Sequence, residues 1–180
     1  MRKPIFCFID IQKEYTTEGR PFFIKDITPS LEKARLLLEV ARKMTAPIVH
    51  IKHLQEGAIF TVGSHYSDYV EGFEPKEGEK EVIKHNFSCF SSPDFTKTLN
   101  LFSPNNELVI IGYGSSMCCL PTIIEGYHRG YQMIFPFDAS NAKPTKEHSS
   151  LQVHEVMSDV LSTFSEKITT EAFIQRLSGS

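Results

Sequence analysis

Five or six short apolar runs rich in Ile, Val and Phe, set between stretches of helical length, constrain this chain more than any other feature. A continuous apolar run suits a strand buried on both faces, and strands alternating with helices read as parallel βαβ units. The expected architecture is an open α/β sheet with helices on both faces. Pro4-Ile5-Phe6-Cys7-Phe8-Ile9 is the first strand and ends at Asp10. Thr28-Pro29-Ser30 starts a helix to about Met44, with Leu31, Ala34, Leu38 and Ala41 at helical spacing and proline at an early position. Pro47 to Ile51 is the second strand, about Glu81 to Lys84 the third, and Glu107 to Ile111 a fourth that ends in Gly112. A helix after Met117 runs to about Arg129, and Gly130 serves as its left-handed stop before a strand from Tyr131 to Phe135. A helix from about Glu147 to Phe164 carries Leu151, Val153, Val156, Val160 and Leu161 on one side; a short strand closing at Ile168 and a capped helix from Thr169 follow.

With 180 residues, 41% hydrophobic and 23% charged, the chain has a core-forming composition and is read as one domain, 1–180. A net charge of −3 with no basic run makes nucleic acid and anionic membranes poor partners. No window approaches the ~20 apolar residues of a bilayer crossing, and Met1-Arg2-Lys3 leads into an apolar run too short for a secretory signal. Cys7, Cys89, Cys118 and Cys119 form no C-x-x-C pair, so free thiols in a reducing, cytoplasmic compartment are expected. From His53 to Gly78 the chain shows little periodicity over roughly 25 residues, and a loop of that length in a compact domain is usually functional or disordered.

Ligands of open α/β sheets bind at the carboxyl ends of the strands. Asp10 ends the first strand, Lys84 the third, and Gly112-Tyr113-Gly114-Ser115-Ser116-Met117-Cys118 leads from the fourth into a helix. A thiol at a helix start is expected to have a lowered pKa, because unpaired N–H groups and the helix dipole favour the thiolate. A nearby carboxylate can take the thiol proton and return it to a leaving amine; a lysine can steady the ionised pair, and backbone donors at the helix start can hold an oxyanion. Each residue alone also has an ordinary reading: Cys118 as small core residue, Asp10 as cap, Lys84 as surface cation.

The chain resembles the isochorismatase-like cysteine hydrolase superfamily, which includes nicotinamidases, from Phe6 to Phe173. Four stretches carry the resemblance: Phe8-Ile9-Asp10-Ile11-Gln12, Val82-Ile83-Lys84 with Phe87-Ser88-Cys89-Phe90, Ile111 to Cys118, and Phe137-Asp138-Ala139-Ser140. It implies a doubly wound, three-layer α/β/α fold on a six-stranded parallel sheet, and an Asp10-Lys84-Cys118 triad that opens a small amide through a thioester. It implies a cis peptide at Tyr113-Gly114 and oxyanion donors at the N–H groups of Gly114 and Cys118. Homo-oligomers are the family habit, which the late helix and the long loop could serve. Ser115-Ser116 stands where the family commonly has Thr-Asp, and Cys119 where it has Val. Cys119 points ~100° from Cys118 on a helix and is read as core.

Nicotinamidase-like relatives bind a divalent ion through an Asp-x-His pair and further histidines. Here His50-Ile51-Lys52-His53 has no such aspartate, and the seven histidines contain no H-x-x-x-H, so no metal is expected and the resemblance is to the metal-independent branch. No cofactor is expected either: neither G-x-G-x-x-G after the first strand nor a P-loop occurs. Substrate-binding candidates are Gln12, His53, and, among Tyr15, Phe22, Phe23, Phe60, Tyr66, Phe87 and Tyr113, the two that flank triad members, Phe87 and Tyr113. His148 and His154 are read as helix-surface or packing residues. The leading function is an amidase acting on a non-peptide C–N bond of a small amide, carboxamide or ureide. The alternatives are a non-catalytic binding module and a hydrolase of an isochorismate-type substrate.

Overall fold

A strand buried on both faces must be apolar at every position, and β1 (Pro4–Ile9) meets that condition with six buried residues in a row. It lies in the middle of the sheet in the computed structural model, which describes residues 3–102 and 105–179; Met1 and Arg2 of the N-terminal run lie outside them. β2 (Ile48–His53), β3 (Lys80–Lys84), β4 (Glu107–Tyr113), β5 (Gln132–Pro136) and β7 (Glu166–Ile168) complete a parallel sheet of order β3-β2-β1-β4-β5-β7. These are the six strands expected. A seventh, β6 (Ser140–Asn141), lies off that path and pairs with β4, which runs two residues beyond its expected end so that Gly112 meets Ser140 and Tyr113 meets Asn141.

Strand periodicity divides the core into two layers. Phe6 and Phe8 face a cluster with α2 (Thr28–Lys43), through Ala34, Leu37, Leu38 and Ala41, and with α6 (Thr170–Ser178), through Phe173. Ile5, Cys7 and Ile9 face the other, where Phe95 of α3 (Pro93–Leu99), Ile123 of α4 (Leu120–His128) and Leu161 of α5 (Ser150–Leu161) pack. Sequence reasoning passed over α3 and the single turn α1 (Lys13–Thr16), both too short to display helical periodicity.

One element is turned around relative to expectation. Leu151, Val156 and Val160 of α5 face outward, 63%, 58% and 43% exposed, while His154, Ser158 and Leu161 form the inward stripe at i, i+4 and i+7. The inward polar groups find partners, as His154 bonds Ser115 and the Phe137 carbonyl. Satisfied polar groups can occupy a core face, which an apolar count does not anticipate. Among the described residues no helix is long and apolar enough to cross a membrane.

The switch point of the sheet lies between β1 and β4, whose chains leave in opposite directions, and the carboxyl ends of such strands are where ligands of open α/β sheets bind. Glycine is required there: Gly112 has φ +118°, and a Cβ at this position would stand 2.1 Å from the carbonyl oxygen of Ile9.

Candidate active site

Adjacent strands deliver their last residues to one place. Asp10 follows β1, His53 ends β2 and Lys84 ends β3, with His53 and Lys84 in register. Asp10 takes a left-handed conformation, φ 51°, which aspartate tolerates better than most residues. Its N–H donates to the Ile51 carbonyl at 3.0 Å, which keeps the turn attached to β2. Cys118 arrives from beyond β4, where the chain winds into a π-helical turn, Ser115–Cys119, before α4 begins. The Gly114 carbonyl initiates that turn by accepting from the N–H groups of Met117 at 3.0 Å and Cys119 at 3.1 Å. The nucleophile candidate therefore sits inside a π turn rather than at the first turn of an α-helix.

The Lys84 ammonium is the centre of the cluster. It donates to Asp10 Oδ2 at 2.8 Å, His53 Nδ1 at 2.9 Å, the Asn86 carbonyl at 3.2 Å and Cys118 Sγ at 3.3 Å. Three ammonium protons thus serve four acceptors, and the sulfur is the most distant. Asp10 and Lys84 are 0% exposed and Cys118 2%. Burial alone would draw the lysine pKa down, but the Asp10 carboxylate and the neighbouring Cys118 reverse this and leave it raised. His53 receives a proton from Lys84 at Nδ1, so its own proton lies on Nε2, which donates to Gln55 Oε1 at 3.1 Å. Burial, then the Lys84 charge, holds the His53 pKa below its ordinary value, in keeping with a neutral ring.

Two features bear directly on reactivity. Asp10 Oδ1 is buried with no hydrogen-bond partner, an unusual condition for a carboxylate oxygen in a protein interior. The Cys118 pKa is raised, by burial first and by the Asp10 charge next, with Lys84 opposing. This corrects the expected lowering: the thiol is enclosed beside a carboxylate, and desolvation of a thiolate outweighs the turn's backbone dipoles.

The other sequence candidates divide. The Tyr113–Gly114 peptide is cis, at the position the resemblance implies, and Gly114 stands just before the π turn that holds Cys118. Cys119 is buried and directs its thiol to the Gly112 carbonyl, 3.6 Å away, as a core residue. Gln12 stands at the site but as a brace. Its Nε2 donates to the carbonyls of His53 at 3.0 Å and Ser67 at 2.8 Å, and its Oε1 accepts from His53 N at 2.9 Å. Tyr113 is a core residue rather than a pocket wall, fully buried, with its hydroxyl 2.9 Å from Ser30 Oγ. Phe87 is half exposed, two residues beyond the end of the lysine motif's His85 neighbour.

Aromatic rings nearer the cluster are Phe60, 5.1 Å from the His53 ring, and Tyr15, 5.5 Å from both Phe60 and Tyr113. Both were among seven aromatic candidates, and position in the sequence could not single them out. The central place of His53 was legible by the strand-end rule once β2 is extended from Ile51 to His53. The link from His154 to Ser115 had no sequence signal, since it joins residues 39 positions apart across two elements.

Asp10, His53 and Cys118 offer three potential metal-ligand atoms within 4.8 Å of one another. All three residues already bond one cation, the Lys84 ammonium, which stands where an ion would. A metal at this position would meet a fixed positive charge, so the residues do not fit a resident ion.

An isochorismatase domain model matches residues 4–171, nearly the whole chain. The chain belongs to the isochorismatase family. A secreted isochorismatase effector of Verticillium dahliae is 34% identical over 137 residues, covering 75% of this chain and 70% of that one. Among solved structures of similar fold, an isochorismatase from Pseudomonas putida has a TM-score of 0.83 at 25% identity, covering 94% of this chain and 89% of the other. A cysteine hydrolase from Pseudomonas syringae has a TM-score of 0.89 at 20% identity, covering 98% and 93%. The protein is thus an isochorismatase-family hydrolase on a parallel α/β sheet, with Asp10, His53, Lys84 and Cys118 gathered at its strand ends.

Proposed function

We propose that this protein is a cysteine-dependent hydrolase that opens a C–N bond in a small amide, carboxamide or ureide. The observation that carries the reading is one buried ammonium shared between a carboxylate and a thiol, with the second carboxylate oxygen unpartnered. Cys118 Sγ attacks the carbonyl carbon as Asp10 takes the thiol proton, forming the S–C bond and an oxyanion. Lys84 balances the charge on sulfur and carboxylate, and the Gly114 and Cys118 N–H groups serve as oxyanion donors. Asp10 then protonates the departing nitrogen and the C–N bond breaks, leaving a thioester. Water, deprotonated by Asp10, attacks the thioester and releases the acid, and the thiol regains its proton. Charge separation waits for substrate, which accords with a thiol whose pKa is raised by burial and then by the Asp10 charge.

The partner in this reading is a small molecule. Four buried, unpaired cysteines support work in a reducing compartment such as the cytoplasm, and the outward apolar side of α5 supports assembly with further copies. The relative from Verticillium dahliae, an isochorismatase, supports a second reading, a hydrolase of an isochorismate-type substrate. Incubating the protein with a panel of small amides, and with isochorismate, decides between them. The proposal expects amide turnover that Cys118→Ala abolishes, with an acyl adduct on Cys118 seen by intact-mass spectrometry. Turnover of isochorismate but of no amide, undiminished in Cys118→Ala, would sink it in favour of the second reading.

A further inference from the structure

The nucleophile turn is held by its neighbours on both sides. On one side the Tyr113 hydroxyl meets Ser30 of α2 at 2.9 Å, and the strand pairing of Tyr113 with Asn141 ends just before Gly114. On the other, Ser115, the first residue of the turn and fully buried, places Oγ 2.8 Å from His154 Nδ1 on α5. His154 is 7% exposed, and its Nε2 lies 2.9 Å from the Phe137 carbonyl. A carbonyl only accepts, so Nε2 carries the proton, Nδ1 is the acceptor, and the Ser115 hydroxyl donates to it. Burial, the largest influence on this ring, lowers the His154 pKa and keeps it neutral. Every direction in the chain from Phe137 to His154 to Ser115 is therefore fixed.

We infer that His154 is a positioning residue, which through Ser115 holds the Gly114–Cys118 turn so that its backbone donors face the carbonyl under attack. The inference rests on the amidase reading above. Ser115 follows Gly114 directly, so a shift of its Cα rotates the Gly114–Ser115 peptide whose carbonyl winds the turn. A donor misplaced by a fraction of an ångström loses an interaction that matters most in the transition state. Neither side chain is hydrogen-bonded to Lys84, so their removal deletes none of the bonds that join the ammonium to Asp10, His53, Asn86 and Cys118.

The test measures two reactions of Cys118 in the parent, Ser115→Ala, His154→Ala and the double variant. Alkylation by iodoacetamide at pH 9.5 needs only an accessible thiol, whereas acylation by p-nitrophenyl acetate, read as the p-nitrophenol burst, needs the oxyanion donors. Parent protein that alkylates at Cys118 without acylating would overturn the amidase reading and this inference with it. With a parent burst in hand, the inference expects each single variant to alkylate within about twofold of parent yet acylate about 10- to 100-fold more slowly. The double variant should be no slower than the slower single, because both remove one linkage. Acylation within twofold of parent in either single variant, or losses that multiply in the double, would overturn the positioning role while leaving the amidase reading intact. Ser115→Ala removes one oxygen atom from the core, so it decides the question by itself should His154→Ala fail to fold.

Discussion

The Lys84 ammonium and the Asp10 carboxylate meet at 2.8 Å with neither side chain exposed to solvent. A pair so enclosed is costly to break from one side only, since the survivor is a buried, uncompensated charge. Lys84→Met should therefore destabilise the fold by about 3–5 kcal/mol. The double variant Asp10→Asn, Lys84→Met should recover much of that loss while staying inactive. Urea midpoints of parent, singles and double test this; a double variant as unstable as the sum of its singles would show that the pair is not the source of the penalty.

The thiol at Cys118 has its pKa raised by burial and then by Asp10, so the thiolate population at neutral pH is small. Its alkylation rate should keep climbing with pH above the range of an ordinary thiol, ~8.5. Asp10→Asn removes the charge that opposes ionisation and leaves the Lys84 ammonium, which favours it, so labelling at pH 8 should speed up. Peptide mapping after iodoacetamide treatment across pH 6–10 reads the profile, and a midpoint below 8 in the parent would contradict the enclosed-thiol description.

Gln12 braces the β2 end by donating to two carbonyls and accepting from one N–H. Gln12→Glu keeps the shape and the accepting oxygen but turns the donor toward His53 O and Ser67 O into a second acceptor. Loss of the two bonds, with lone pairs now facing lone pairs, should cost about 2–4 kcal/mol. Thermal unfolding of the variant provides the check. Parent-like stability combined with weakened substrate binding would return Gln12 to the substrate-contacting role expected from sequence.

Acid stability should depend on a cluster remote from the site. Glu79 is bound by Arg42 Nε at 2.7 Å and Nη2 at 3.0 Å, by His50 Nε2 at 2.7 Å and by Lys76 N at 2.9 Å. Its partial burial would raise the pKa, but Arg42 first, then the Lys76 N–H and His50, bring it down to about 2. A carboxylate depressed on folding contributes stability that is complete above its ordinary 4.5 and disappears as pH falls toward 2. Urea unfolding from pH 6 to pH 2.5 should show this loss, and Arg42→Met should flatten it. An equally steep decline in the variant would assign the acid limb to other groups.

Much of the fold could be read along the chain because its signals are local. Pro4–Ile9 and residues 108–111 are apolar without interruption, and Pro29 opens a helix whose Ala34, Leu38 and Ala41 do face the core. α5 escaped that logic because its inward side is polar and satisfied at a distance, by Ser115 and Phe137, leaving Leu151, Val156 and Val160 outside. Among the site residues, Asp10 and Lys84 were found as strand-end polar groups and Cys118 by its motif.

The sequence by itself determined the order along the chain of the six main strands and the longer helices, and with it the convergence of Asp10, Lys84 and Cys118 at one edge of a parallel sheet, since parallel strands carry their last residues to the same side. The tertiary structure alone decided what those residues are to one another. Lys84 is the shared donor to an acid, an imidazole and a thiol, burial and the Asp10 charge raise the Cys118 pKa, and Gln12 and Tyr113 support the frame. The physical reason is that hydrogen-bond partnership and desolvation depend on the few ångströms around an atom, filled here by segments 30 to more than 100 residues away, to which periodicity along a chain is blind.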